Sequence, residues 1–173
     1  MANVQRWRHN NDEVVTPAIQ SGVVIEIGDL VYQSSQGDVY PASSQPDQGS
    51  LVANQRLFAC RFLGVAQQQS RSGDTDPIRV KTKGVFEFII AAVAVNSDHR
   101  HDLGQRIGAI ENAAGTALLD QTVHGVQDDA LTIGRQAATA IVGATSVLVS
   151  IESEIMAGGT DAGTCESSSS EGI

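Results

Sequence analysis

Aromatic residues, lysines and long apolar runs are scarce in this chain. Aromatic side chains make up 4% of the 173 residues, so a core has to be built from Val, Ile, Leu and Ala. No run approaches the roughly 18 consecutive apolar residues that a membrane-spanning helix needs. The first residues, MANVQRWRHNNDE, lack the apolar stretch of a signal peptide. We therefore expect a soluble protein made in the cytoplasm, with no membrane partner.

Cysteine is equally scarce, and its two residues predict neither a disulfide framework nor a metal site. Cys60 lies in an apolar run, which predicts a small buried hydrophobic side chain. Cys165 lies in a polar segment. We therefore expect the fold to be held by its core rather than by covalent links.

Positive charge is also limited, because 11 Lys and Arg residues stand against 20 Asp and Glu. The formal net charge is −9 and the sequence pI is about 4.7. A chain this acidic is repelled by a phosphate backbone. We therefore predict no nucleic-acid partner.

Alternating apolar and polar residues indicate short strands between residues 21 and 156. The sequence is 41% hydrophobic and contains 17 glycines, a mixture typical of strands joined by turns. Helical periodicity is weak, and because the best helix candidate, Glu111–Val123, contains Gly115, we expect at most a short helix or a turn there. We predict an all-β barrel or sandwich of seven to nine strands with at most one short helix. The predicted strand segments are Val23–Ile27, Leu57–Ala66, Ile78–Val95, Arg106–Ile110 and Thr145–Ser153.

The segment GDLVYQSSQGDVYPAS repeats a Gly-Asp step at Gly28 and Gly37. Each step is followed by a β-forming residue and a tyrosine, which is typical of a turn that re-enters a strand. Two isolated aspartates supply too few oxygen ligands for calcium. We therefore predict two turns, with Pro41 confining the second strand to a sheet edge.

The two ends of the chain differ from the middle. Residues 1–20 predict an extended arm with apolar side chains at Trp7, Val14, Val15 and Ile19. Trp7 either fills this chain's own core or anchors on a neighbouring protein. Residues 157–173 are rich in Ser and Gly, carry three acids and no base, and predict a flexible tail.

No motif in the sequence predicts an enzyme, a cofactor or a metal ion. His99 and His101 in DHRHD favour a polar surface loop, because the remaining histidines do not complete a recognisable ligand set. A nucleophile elbow, a phosphate-binding loop and a dinucleotide fingerprint are all missing from the sequence. Asp128 and Asp129 predict a turn, as does Gly73-Asp74.

Arg79, Lys81 and Lys83 stand on one face of a predicted strand, opposite Ile78, Val80 and Thr82. Such a cationic stripe is typical of a solvated sheet face or of an edge protected against aggregation. The alternative is a docking stripe for an acidic protein surface. Both interpretations stay open at the level of sequence.

Several motifs in order resemble the tailed-phage capsid decoration, or cement, proteins. The motifs are GDLVYQSSQGDVYPAS, FLGVAQQQSRSGDTDPIRVKTKGVFEF, LGQRIGAIENAAGTALLDQTV and VLVSIES, which span residues 21–153. The resemblance implies a homotrimer that binds the outer surface of the phage head and clamps neighbouring major capsid proteins. It also implies a virion location. The N-terminal arm and the cationic stripe are then the candidate contacts.

A carbohydrate- or receptor-binding β-module of a virion or surface appendage is the alternative function. Such a module would use exposed aromatic side chains, of which Tyr32 and Tyr40 are the candidates, to stack on sugars.

Overall fold

The fold, seen in a computed structural model, combines a five-stranded sheet with a closed five-stranded barrel. The structure describes residues 12–91, 102–140, 143–158 and 165. Within these ranges it contains ten strands and one α-helix, so the predicted all-β class is confirmed. The elements are β1 (Glu13–Val15), β2 (Leu30–Gln33), β3 (Val39–Pro41), α1 (Leu51–Arg61), β4 (Phe62–Ala66), β5 (Arg79–Lys81), β6 (Lys83–Ile90), β7 (Arg106–Glu111), β8 (Leu118–Gly125), β9 (Gly134–Gln136) and β10 (Ser146–Glu152).

The open sheet has the strand order β1-β5-β4-β2-β3 and contains the repeated Gly-Asp motif. Gly28 and Gly37 adopt φ angles of 94° and 91°, values that favour glycine. The buried Asp29 accepts a 2.8 Å hydrogen bond from the backbone N–H of Glu26, which closes the first turn. Pro41 lies on the edge strand β3, where its missing donor costs no ladder bond. The predicted turns are confirmed.

The helix corrects one strand prediction. Of Leu57–Ala66, only Phe62–Ala66 is a strand, while the residues before it form the last turns of α1. Ser50 caps the start of α1 by accepting a hydrogen bond from the Ala53 N–H. Phe58 and Phe62 are both buried, and their spacing suits a helical face as well as it suits a strand. A short apolar run leaves the period ambiguous, which explains the error.

In Glu111–Val123 the structure contains the turn rather than the short helix, the two predicted alternatives, whereas Val23–Ile27 differs from its predicted strand. Glu111–Val123 is not a helix, because Asn112 begins a turn closed by its N–H donating to the Ala117 carbonyl at 2.8 Å. Gly115 sits in this turn with a φ of 67°. Val23–Ile27 is extended, but in it only Ile25 forms a bridge, with Ser70, so no named strand results.

One hydrophobic core runs through both sheets, and the helix connects them. Phe58 lies with its ring centroid 6.0 Å from Tyr32 and 5.8 Å from Phe62. On the side of α1 that faces the barrel, the side-chain amide of Gln55 donates a hydrogen bond to the Ala109 carbonyl at 2.7 Å. The core cluster includes residues of β2, β4, α1 and every barrel strand except β9. The barrel and the sheet are therefore packed as one body around α1.

A disulfide joins Cys60 to Cys165 across 105 residues of sequence, which overturns the prediction of unlinked cysteines. Cys60 lies in the last turn of α1, and Cys165 is buried against it. The spacing of the two cysteines in the sequence could not predict this disulfide, because a single pair that is distant in sequence leaves no local pattern. At Cys165 the predicted flexible tail is held in place. The rest of that tail from residue 159 onward lies outside the described residues.

Candidate functional site

The outer face of the barrel exposes a row of aliphatic side chains. Strand β6 is central, with β10 on one side and β8 on the other. Phe88 and Ile90 point into the core. The outward side chains of Val85 and Ile89 on β6 and Leu148 on β10 are 56, 57 and 42% exposed. We call these three residues the apolar row.

Polar residues alternate with the apolar row across the two strands. Leu148 pairs with Glu87, and Ile89 pairs with Ser146, whose hydroxyl donates to the Glu87 carboxylate at 2.6 Å. Except at Glu87, β6 carries apolar side chains on both faces after Gly84. The second face, however, has no covering layer among the described residues. The three exposed aliphatic side chains on adjacent strands make this face a candidate contact surface.

The cationic stripe is balanced by nearby carboxylates. The predicted alternation is confirmed, because Ile78, Val80 and Thr82 are buried while the charged residues between them face outward. Carboxylates from β1 and β10 neutralise each cation, which favours the solvated-face interpretation over a docking stripe. The pairs are Arg79 with Glu13 at 2.8 Å, Lys81 with Asp12 at 3.2 Å and with Glu13 at 3.6 Å, and Lys83 with Glu152 at 3.1 Å.

The predicted arm is partly built into the sheet. Val14 pairs with Val80 through β1 and β5, and its side chain is half-buried. Ile19 is only 2% exposed and packs in a second core cluster beneath the sheet, so it contacts this chain rather than a partner. Val15 is exposed. Trp7 lies outside the described residues.

The two tyrosines of the repeated motif stack on each other with ring centroids 5.8 Å apart. Tyr32 is almost fully buried, which corrects the expectation that both rings are exposed. Burial, followed by the neighbouring Tyr40, raises the pKa of Tyr32 to about 12, so its phenol stays protonated at neutral pH. Tyr40 is half-buried at the edge of a cavity of about 640 Å³.

Of the remaining sequence predictions, two turns are confirmed, whereas the two neighbouring histidines cannot be compared with the structure. The Asp128–Asp129 turn is confirmed, since the Asp128 carboxylate accepts from the Ala130 N–H at 3.0 Å. Arg71 N–H donates to Asp74 at 3.0 Å, which confirms the Gly73-Asp74 turn. His99 and His101 lie outside the described residues. Elsewhere, no three His, Cys, Asp or Glu residues that the structure describes are grouped to hold a metal ion.

Within the described residues, no helix has both the length and the apolar composition needed to cross a membrane.

Comparison with known proteins finds a distant structural similarity. No family model matches the sequence, and no curated protein matches it. The fold is similar to that of the N base of the head fiber gp8.5 of bacteriophage phi29, with a TM-score of 0.43 and 12% sequence identity. The similarity covers 81% of this chain and 94% of that chain.

Proposed function

We propose that the protein is a non-enzymatic structural component of a phage head. It binds the outer surface of the assembled shell as a trimer and clamps neighbouring major capsid proteins. Its partners are the major capsid protein and its own copies, with no role for nucleic acid or a membrane. The observation that carries this proposal is the apolar row on the outer face of the barrel.

The apolar row suits contact with a protein surface. Burying exposed Val, Ile and Leu side chains is favourable by about 25 cal/mol per Å² of apolar area. Three partly exposed side chains give a modest contact, but many copies bound to a repeating shell make modest contacts sufficient. The strand pairing of β6 on both sides holds the row rigid, which limits the entropy lost on binding.

The Cys60–Cys165 disulfide and the order of sequence motifs also support a location on the outer surface of the phage head. Disulfides persist on virion surfaces and in other oxidising environments and are rare in the cytosol. The Cys60–Cys165 bond therefore fits a protein that works outside the cell after assembly. The motif order across residues 21–153, with its resemblance to capsid decoration proteins, supports the specific partner and the trimer.

A triple variant tests the proposal. Val85→Thr, Ile89→Thr and Leu148→Thr together keep β-forming residues while removing most of the apolar contact. We expect affinity for assembled heads that lack this protein to fall at least about tenfold, which corresponds to about 1.4 kcal/mol. Sedimentation of heads with labelled protein measures the bound fraction.

A matched control uses Val52→Thr, because Val52 is 52% exposed but lies on α1, whereas the apolar row lies on β6 and β10. This variant should bind as the wild-type protein does. Circular dichroism checks that both variants remain folded. Wild-type affinity in the folded triple variant would show that the apolar row is not the contact surface.

A further inference from the structure

The cavity beside Tyr40 is a candidate binding site that is separate from the apolar row. It lies between the β2–β3 hairpin, the extended residues 22–24 and the end of α1, and its volume is about 640 Å³. That volume is within the range of pockets that bind small ligands. We propose that this cavity binds a saccharide. The proposal does not depend on attachment to a phage head.

The aromatic wall of the cavity is rigid. Tyr40 stacks on Tyr32 with an angle of 29° between the rings, and Phe58 meets Tyr32 edge-on at 6.0 Å. Tyr32 and Phe58 are buried in the core, so their packing holds the ring of the half-buried Tyr40 in a fixed position. A fixed aromatic ring with an apolar body and a hydroxyl at its tip suits the C–H faces and hydroxyl groups of a sugar ring.

The other walls supply hydroxyl groups on fixed backbone. Four serines line the cavity together with Pro41 and Pro46. Ser34 closes the hairpin turn, because its hydroxyl oxygen accepts from the Asp38 N–H at 3.2 Å. A hydroxyl that accepts in this way still has its own proton to donate. The lining serines are Ser34, Ser35, Ser43 and Ser44.

Arg61 forms the wall at the end of α1 and is the one charged side chain among the described residues that line the cavity. Its guanidinium donates to the carbonyl of Cys165 at 3.0 Å, so the disulfide-linked segment holds it in position. The lining contains no carboxylate from the described part of this acidic chain. Neutral hydroxyls, an aromatic ring and one cation match neutral or acidic saccharides and disfavour cationic ones.

Calorimetric titration with defined oligosaccharides tests this inference. The probes are a glucose tetramer, an N-acetylglucosamine tetramer and a galacturonic acid tetramer, each added up to about 10 mM. We expect at least one to bind with a Kd of about 1 mM or lower. Tyr40→Ala should weaken that binding at least tenfold.

A second variant distinguishes loss of the binding site from a folding defect in Tyr40→Ala. Ser35 is exposed at the tip of the hairpin turn, so a longer side chain at this position should narrow the cavity while leaving the fold intact. A neutral replacement, Ser35→Gln, avoids adding a second cation and should also weaken binding, whereas the triple variant of the apolar row should bind the saccharide as the wild-type protein does. Failure of all three probes to bind, or equal binding by wild type, Tyr40→Ala and Ser35→Gln, would overturn the inference.

Discussion

Removing the Cys60–Cys165 disulfide should lower the free energy of unfolding by about 2–5 kcal/mol. The bond closes a loop of 105 residues, so its loss gives the unfolded chain much more conformational freedom. The double variant Cys60→Ser and Cys165→Ser is compared with the oxidised wild-type protein by urea denaturation. Unfolding should occur at a lower urea concentration in the variant.

A reductant provides the control for the disulfide prediction. Dithiothreitol should shift the wild-type transition towards that of the double variant and leave the double variant unchanged. Loss of the disulfide should also loosen the position of Arg61 at the end of α1, because its guanidinium donates to the Cys165 carbonyl. Equal urea midpoints for oxidised wild type and double variant would contradict a stabilising role for the bond.

Gly64→Ala should destabilise the protein by about 3–5 kcal/mol, through backbone strain and overpacking together. Gly64 lies in β4 with a φ of 152°, which side-chain-bearing residues rarely adopt. An added Cβ would overlap the backbone carbonyl oxygen of Lys81 and lie 2.8 Å from its carbonyl carbon. Those atoms belong to β5, which pairs with β4, so the two strands would have to separate. Thermal or urea denaturation measures the loss.

Comparison with Gly73→Ala separates the cost of an unfavourable φ from the cost of atomic overlap. Gly73 also has a positive φ, of 96°, but an added Cβ there meets no heavy atom within 4 Å. This variant should lose only about 1 kcal/mol, the cost of the unfavourable φ alone. Equal losses in Gly64→Ala and Gly73→Ala would show that close contact between β4 and β5 is not what requires glycine.

Local patterns predicted much of the fold. The alternation through Ile78, Val80 and Thr82 placed their buried side chains correctly, and the predicted strand Thr145–Ser153 contains β10, in which Val147, Val149 and Ile151 are buried. These predictions succeeded because the period of a strand with one buried face is visible in a few consecutive residues. Glycine-bearing turns succeeded for the same reason.

Long-range pairing could not be predicted from those patterns. Arg79 and Lys81 form a cationic stripe in sequence, but their neutralising partners Asp12 and Glu13 are about 70 residues away and arrive with β1. Likewise, Cys60 and Cys165 carry no local signal of their bond. Charge balance and covalent links of this kind depend on the topology of the whole chain.

The candidate surfaces were only partly visible in the sequence. Strand β6 carries apolar residues on both faces, as a strand paired on both sides often does, but this pattern does not tell which face remains uncovered. Tyr32 and Tyr40 looked equivalent in the repeated motif. The structure separates them, because β2 lies between two other strands whereas β3 forms the edge. Tyr32 is therefore buried and Tyr40 borders the cavity.

The amount of this protein in purified phage particles tests the structural role most directly. Particles purified by density gradient are analysed for the 18.1 kDa chain and for the major capsid protein. The proposed role predicts a fixed ratio between the two from one preparation to the next, with the chain labelled by reagents that cannot enter intact particles. Absence of the chain from purified particles whose lysate contains it would contradict the proposed function.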